Sequence, residues 1–193
     1  MMTDGNTPKS SELVRVIRER RTIRDFNGQP LDKDVLMDIL RDAQWAPYHS
    51  RKEPWRFILF MGEGRLKFAE AVGLTYSDEV RDRWGEWARN QYCNLIPAHL
   101  IVTYDADPRQ KYWEDALSAA AALIQNIQLL AWEREIGVVW KTNECNWNPA
   151  FHRAVGVKPD ERIAGILHLG YFDRTPKPRK RKAIEQCLTL IDS

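Results

Sequence analysis

Four arginines and a threonine stand within nine positions in RERRTIRDF, Arg18 to Phe26, and a second basic run, KPRKRK, covers Lys177 to Lys182. A guanidinium is a planar fork that holds two phosphate oxygens at once, and a hydroxyl adds a neutral donor. Arg21, Thr22 and Arg24 in one short loop are what a phosphate and a polar ring edge require, and the two clusters can converge on one anionic ligand. The same charges also suit a solvated helix end, or a nucleic-acid patch where aromatics interleave. Charge alone leaves these readings open.

Other chemistry is poorly supported. MGEGRLK offers GxG at the end of an apolar segment, but Lys67 stands where a dinucleotide fingerprint needs its third glycine. The chain has no GxxxxGK[ST], HExxH or GxSxG. His49, His99, His152 and His168 are isolated from one another, so no metal site is expected, and His99 and His168 read as satisfied core histidines. Cys93, Cys145 and Cys187 are odd in number with no CxxC pair, which points to free thiols and away from a disulfide framework or a cysteine zinc site.

These groups need a scaffold. Ser11 to Arg21 has the apolar spacing of an amphipathic helix, and a second helix is predicted from about Asp32 to Trp45, ended by Pro47. WRFILFM, Trp55 to Met61, reads as a buried strand. Leu66 to Tyr92 is helical but heavily charged, with Trp84 and Trp87 three apart, an inserted excursion. His99 to Asp105 is a strand, and Trp113 to Glu135 is a helix so apolar around its middle that it must be packed on several sides. Gly137 ends it and GVVWK continues as a short strand. A short helix near Pro149 to Val155 and a strand from Arg162 to Tyr171 follow, and AIEQCLTLI near the end suits helix or strand. Strands and helices interleave without repeats, which gives an α+β or α/β fold in one domain, and so apolar a central helix suggests a subunit interface.

The 193 residues balance 29 Lys and Arg against 27 Asp and Glu, which excludes a disordered or acidic solvating chain and singles out no partner. A polar MMTDGNTPKS start and the lack of a long apolar run predict neither secretion nor a membrane span, hence a cytoplasmic location. Eight tryptophans are an excess that suits cores, interfaces and flat ligands.

RRTIRDF, followed by WAPYHSRKEPWRF, the small-residue helix DALSAAAALIQNIQLLAWEREIG, VVWKT, AGILHLGYFD and PRKRK, resembles in order the nitroreductase family of flavoenzymes, most closely its compact, YdjA-like branch. The resemblance covers about Leu13 to Ile184. It implies an α+β nitroreductase-like fold: a central, mostly antiparallel sheet flanked by helices, with a domain-swapped C-terminal segment in a homodimer that binds FMN at the subunit interface. The whole chain, 1–193, would be one such domain, with 1–10 a flexible N-terminus and 66–95 the excursion near the substrate channel.

Carried over by position, Arg20, Arg21 and Thr22 would hold the FMN phosphate and ribityl chain, and Arg24 would reach the pyrimidine edge of the ring. Ala46, Pro47, Tyr48 and His49 match a loop supplied by the partner subunit, with His49 against the flavin. Val139, Trp140, Lys141 and Thr142 match the strand beside the ring, and Arg179 and Arg181 match a C-terminal phosphate-binding pair. The flavin would carry the chemistry, so no protein nucleophile is needed. The implied activity is ping-pong reduction of nitroaromatics, quinones or other conjugated acceptors by NAD(P)H, with Arg24 and Lys141 stabilising negative charge on the reduced ring. Thr22 replaces the commoner serine of the motif, and Glu53 stands before Pro54 where a smaller polar residue is usual. Alternatives are a nucleic-acid or anionic-surface binding protein, and a flavoenzyme of the same fold with another reaction, such as a dehydrogenase or dehalogenase.

Overall fold

A computed structural model describes residues 11–49 and 52–192. Its elements run α1 (Glu12–Glu19), α2 (Lys33–Ala43), β1 (Trp55–Met61), α3 (Gly64–Gly73), α4 (Asp78–Asn90), a π turn (Gln91–Leu95), β2 (Ala98–Asp105), α5 (Gln110–Glu133), β3 (Gly137–Lys141), α6 (Pro149–Val155) and β4 (Glu161–Gly170). Capping fixes several starts: the side chains of Ser11, Asp32, Ser77 and Asn148 each accept a backbone N–H of the helix they open. Pro149 opens α6 at a position that needs no donor, and Gly156, left-handed at φ 80°, closes it.

The four strands form one antiparallel sheet in the order β1-β2-β4-β3. Alternation along the strands gives it two apolar faces. Leu100 and Val102 of β2, Val138 of β3 and Leu167 and Leu169 of β4 meet α2 and α5, whose Leu36, Ile39, Leu123, Ile124 and Ile127 are fully buried. On the other face Phe60, Ile101 and Ile166 meet Phe68 and Val72 of α3 and Phe151 and Val155 of α6. The result is an α+β architecture of helix, sheet and helix layers.

A third, smaller cluster ties the segment after α1 to the sheet: Ile23, Phe26, Ile96 and Val139, with Tyr92, Trp132 and Phe172 against them. One close approach depends on a missing side chain. A Cβ on Gly165 of β4 would stand 1.9 Å from the indole nitrogen of Trp140, so only glycine lets that ring lie flat across the strand.

Three expectations change. Trp55 to Met61, read as a buried strand, is an edge strand in which only Phe60 is buried. The charged stretch from Leu66 to Tyr92 is two helices joined at Leu74 to Ser77 and ended by the π turn. The segment AIEQCLTLI is neither helix nor strand: apart from a 3₁₀ turn at Ile184–Gln186 it is irregular, and Ile184, Leu188, Leu190 and Ile191 are all exposed. Nothing among the described residues covers those side chains, so neither form gains the burial that would stabilise it. The expected flexible stretch 1–10 lies outside the described residues.

Candidate functional site

The first basic cluster takes its shape from its apolar neighbours. α1 ends at Arg20, where φ −52° and ψ 132° turn the chain out of the helix. Thr22 then forms a parallel bridge to Val138 of β3, with the Ile23 N–H donating to the Val138 carbonyl at 3.1 Å. Ile23 and Phe26 insert into the third cluster at 1% and 8% exposure. Between these anchors the polar residues are left pointing elsewhere.

Arg20 is half-buried and its Nη1 reaches only the Oε1 of Gln128 on α5, at 3.4 Å. Arg21 turns its Nη1 onto the carbonyls of Arg18 and Arg20, at 2.7 and 2.9 Å. The Nε atoms of both arginines are buried without a hydrogen-bond partner. Burial, followed by the charges of Arg181 and Arg21, holds the Arg20 guanidinium below its usual pKa. Arg181 comes from the exposed C-terminal segment, so the two basic runs at opposite ends of the sequence lie near enough for their charges to repel. Among the described residues no ion pair joins Arg20, Arg21 or Arg181 to a carboxylate.

Arg24 is exposed at a cavity of about 360 Å³, lined also by Phe26, Asn27, Asp173 and Arg174. On β3, Val139 is buried and Lys141 is half-buried, and Thr142, just after the strand, is exposed. The Trp140 ring is committed to packing over Gly165, and its N–H donates to the Ala164 carbonyl at 3.2 Å. The bridge from Thr22 to Val138 thus sets the arginine loop directly beside the predicted ring strand.

Pro47 and His49 lie elsewhere. They are exposed over a hollow of about 500 Å³ lined by Tyr48, Asp115, Ser118, Ala119 and Ala122, on the N-terminal half of α5. Ser118 and Gln128 are ten residues apart on that helix, about 15 Å along its axis. Arg179 is exposed in the C-terminal segment. One chain therefore sets Arg20, Arg21 and Thr22 beside the β3 strand, within reach of the charge of Arg181, and presents the Pro47–His49 segment elsewhere.

Sequence reasoning missed Gln128. Its signal is a lone amide in the apolar run ALIQNIQLL, since a glutamine 6% exposed must find a polar partner. No helix among the described residues is long and apolar enough to cross a membrane.

The sequence profile of the Nitroreductase family matches residues 17–171. The chain is 36% identical to YfhC of Bacillus subtilis (strain 168), over 93% of this chain and 94% of that protein. It is 30% identical to YdjA of Escherichia coli (strain K12), over 82% and 87%. Both are named provisionally as NAD(P)H nitroreductases. Among solved structures, a nitroreductase-like family protein from Bacillus cereus superposes with TM-score 0.91 at 38% identity, covering 97% of this chain and all of the other. An FMN complex of a protein named provisionally as a nitroreductase, from Desulfovibrio desulfuricans, has the same fold at TM-score 0.73 and 19% identity, covering 96% of this chain and 100% of its own. On the arginine motif, the order of its elements and these matches, the chain belongs to the nitroreductase family.

Proposed function

We propose that the protein is an FMN-dependent NAD(P)H oxidoreductase that reduces nitroaromatic, quinone or other conjugated acceptors in a ping-pong cycle. The observation that carries this reading is the arginine cradle: Arg20 and Arg21 have buried, unpartnered Nε atoms, the charge of Arg181 acts on Arg20, and among the described residues no carboxylate pairs with any of the three. Buried donors without acceptors are costly, and a phosphate would satisfy them. The names of YfhC and YdjA supply the donor class, and the FMN of the Desulfovibrio structure supplies the cofactor.

Arg20, Arg21 and Thr22, with Arg181 and Arg179 from the C-terminal segment, would hold the phosphate end. Val139 to Thr142 would flank the ring, and Arg24 and Lys141 would place positive charge where its polar edge gains electron density. Bound FMN supplies reversible hydride acceptance and donation, which no side chain can perform. The chain's part is to bind and orient it and to keep water from its reactive face.

We further infer one domain over 1–193, acting as a homodimer in the cytoplasm, with the FMN site completed by Pro47 and His49 of the second copy and α3 and α4 beside the acceptor channel. Three features support a dimer: the exposed apolar side chains of the C-terminal segment, Trp45 at 86% exposure, and the distance between the Pro47–His49 hollow and the arginine cradle. Three free cysteines suit a reducing compartment.

Steady-state NAD(P)H oxidation with a nitroaromatic or quinone acceptor tests the reading. Parallel double-reciprocal lines are expected. Bound FMN with no turnover toward any such acceptor would overturn the reductase assignment.

A further inference from the structure

Two histidines are buried where the proposed chemistry does not use them. His99 on β2 and His168 on β4 are direct partners in the antiparallel register, 0% and 2% exposed. Their Nδ1 atoms are 2.8 Å apart, and His99 Nε2 is 2.8 Å from the Tyr92 carbonyl oxygen. A carbonyl only accepts, so the hydrogen of His99 is on Nε2. Its Nδ1 is then a bare lone pair, and the hydrogen between the rings belongs to Nδ1 of His168. The hydrogen bonds run in one direction, from His168 to His99 and from His99 to Tyr92.

The receiving end accounts for the π turn. In a continuing α-helix the Ile96 N–H would bond to the Tyr92 carbonyl. Here it reaches back one residue further, to Gln91 at 3.0 Å, and the carbonyl of Tyr92 is released for His99. Phe68 stacks on the His99 ring at 4.2 Å, and Tyr92 meets it edge-on at 5.6 Å.

The turn held in this way is the seat of the arginine loop. Tyr92 and Ile96 pack against Ile23 and Phe26, which alternate with Arg21, Thr22 and Arg24 in sequence, and against Val139 of β3. At Gly28, left-handed at φ 79°, the loop passes so close that a Cβ would stand 3.2 Å from the Asn94 carbonyl oxygen. The charged groups acting on the pair from the packed elements are Arg65 of α3, toward His99, and Lys141 of β3, toward His168; both oppose protonation, as burial does.

We propose that His99 and His168 are positioning residues of the flavin site, a neutral bridge that clamps the Gln91–Leu95 turn to the sheet and so fixes the apolar seat of the Arg20–Arg24 loop. Only its last link, from loop to flavin, rests on the function proposed above.

The test pairs His168→Leu, which removes the donor at similar bulk, with His168→Asn, whose amide N–H stands near the place of Nδ1–H. Hydrogen exchange of the flavin-free protein should accelerate about tenfold at residues 91–96 in the leucine variant, beyond any global change, and FMN should bind several-fold more weakly. The asparagine variant should recover most of both. In the wild-type protein, nitrogen NMR of the imidazoles should show His99 as the Nε2–H tautomer and His168 as the Nδ1–H tautomer, both neutral at about pH 6. That readout needs no variant to fold. Reversed tautomers, an imidazolium at that pH, unchanged exchange at residues 91–96 in the leucine variant, or equal perturbation by Leu and Asn would overturn the proposal. Expected tautomers and exchange in a protein that binds no FMN would leave the clamp standing and remove the flavin reading instead.

Discussion

Arg56 and Arg20 are both half-buried arginines, and the fold treats them in opposite ways. Arg56 on β1 places Nε and Nη2 on the two carboxylate oxygens of Glu161, at 2.6 and 2.5 Å, and Nη2 also reaches the Gly156 carbonyl at 2.9 Å. Arg20 has one long contact to Gln128, an unpartnered Nε, and two further guanidiniums for company. A charge taken out of water destabilises the fold unless it is paired, so a fold built for stability alone would not gather Arg20, Arg21 and Arg181. The first arrangement holds two strands and the end of α6 together. The second leaves the Nε donors of Arg20 and Arg21 unpaired among the described residues, as the proposed phosphate site requires.

Substitution should separate the two. Arg56→Ala leaves the Glu161 carboxylate, 8% exposed, without its partner, and should lower unfolding free energy by about 3 kcal/mol in urea titration while the folded fraction keeps its FMN affinity. Arg20→Ala should do the reverse. FMN affinity should fall by about 1.5 to 3 kcal/mol, the scale of a charge-assisted hydrogen bond, and the flavin-free protein should be no less stable than wild type. A loss of fold stability in Arg20→Ala would remove the contrast.

Acid sharpens the comparison further. Burial holds His99 down to about 4 and His168 well below its usual range, so the unfolded chain takes up protons that the folded one refuses. Stability is complete above the ordinary histidine range and falls as the pH drops from there toward 4, with about 2 kcal/mol from His99 lost by pH 5 in pH-dependent denaturation. Burial pushes the Glu161 carboxyl up, but Arg56 and the Lys158 N–H outweigh it and leave it below the usual carboxylate range. Its contribution is therefore present above that range and lost only as the pH falls below it, starting at the acid end of the histidine window. The smallest effect is expected at Arg15, exposed and paired with Glu12 and Glu19 one turn before the cradle. Arg15→Ala should leave the melting transition in calorimetry and FMN binding both unchanged, because solvent screens so exposed a pair.

What the sequence revealed depended on whether the signal was local. Trp55–Met61 and Pro149–Val155 were legible because Pro54, Gly62, Asn148 and Gly156 bound them with turn and cap chemistry, and α5 was legible from its apolar run. The proposed cradle was half legible: charge alone left a solvated helix end open, the family resemblance singled out Arg20, Arg21, Thr22 and Arg181, and the buried amide, Gln128, far away in sequence, was missed. His99 and His168 could be read as satisfied, but not as satisfying each other, since 69 positions separate them and only the β2–β4 register brings them together. The pairing of Arg56 with Glu161, 105 positions apart, was hidden for the same reason. The C-terminal segment had no legible form because its apolar side chains have no cover among the described residues.

The most direct test is an equilibrium titration of flavin-free wild-type protein and Arg20→Ala with FMN, followed by the visible flavin bands and flavin fluorescence. One FMN per chain is expected on the wild type with sub-micromolar affinity, and roughly 10- to 150-fold weaker binding to the variant. A wild-type protein that binds no FMN, or a variant that binds it equally well, would contradict the assignment of the arginine cradle.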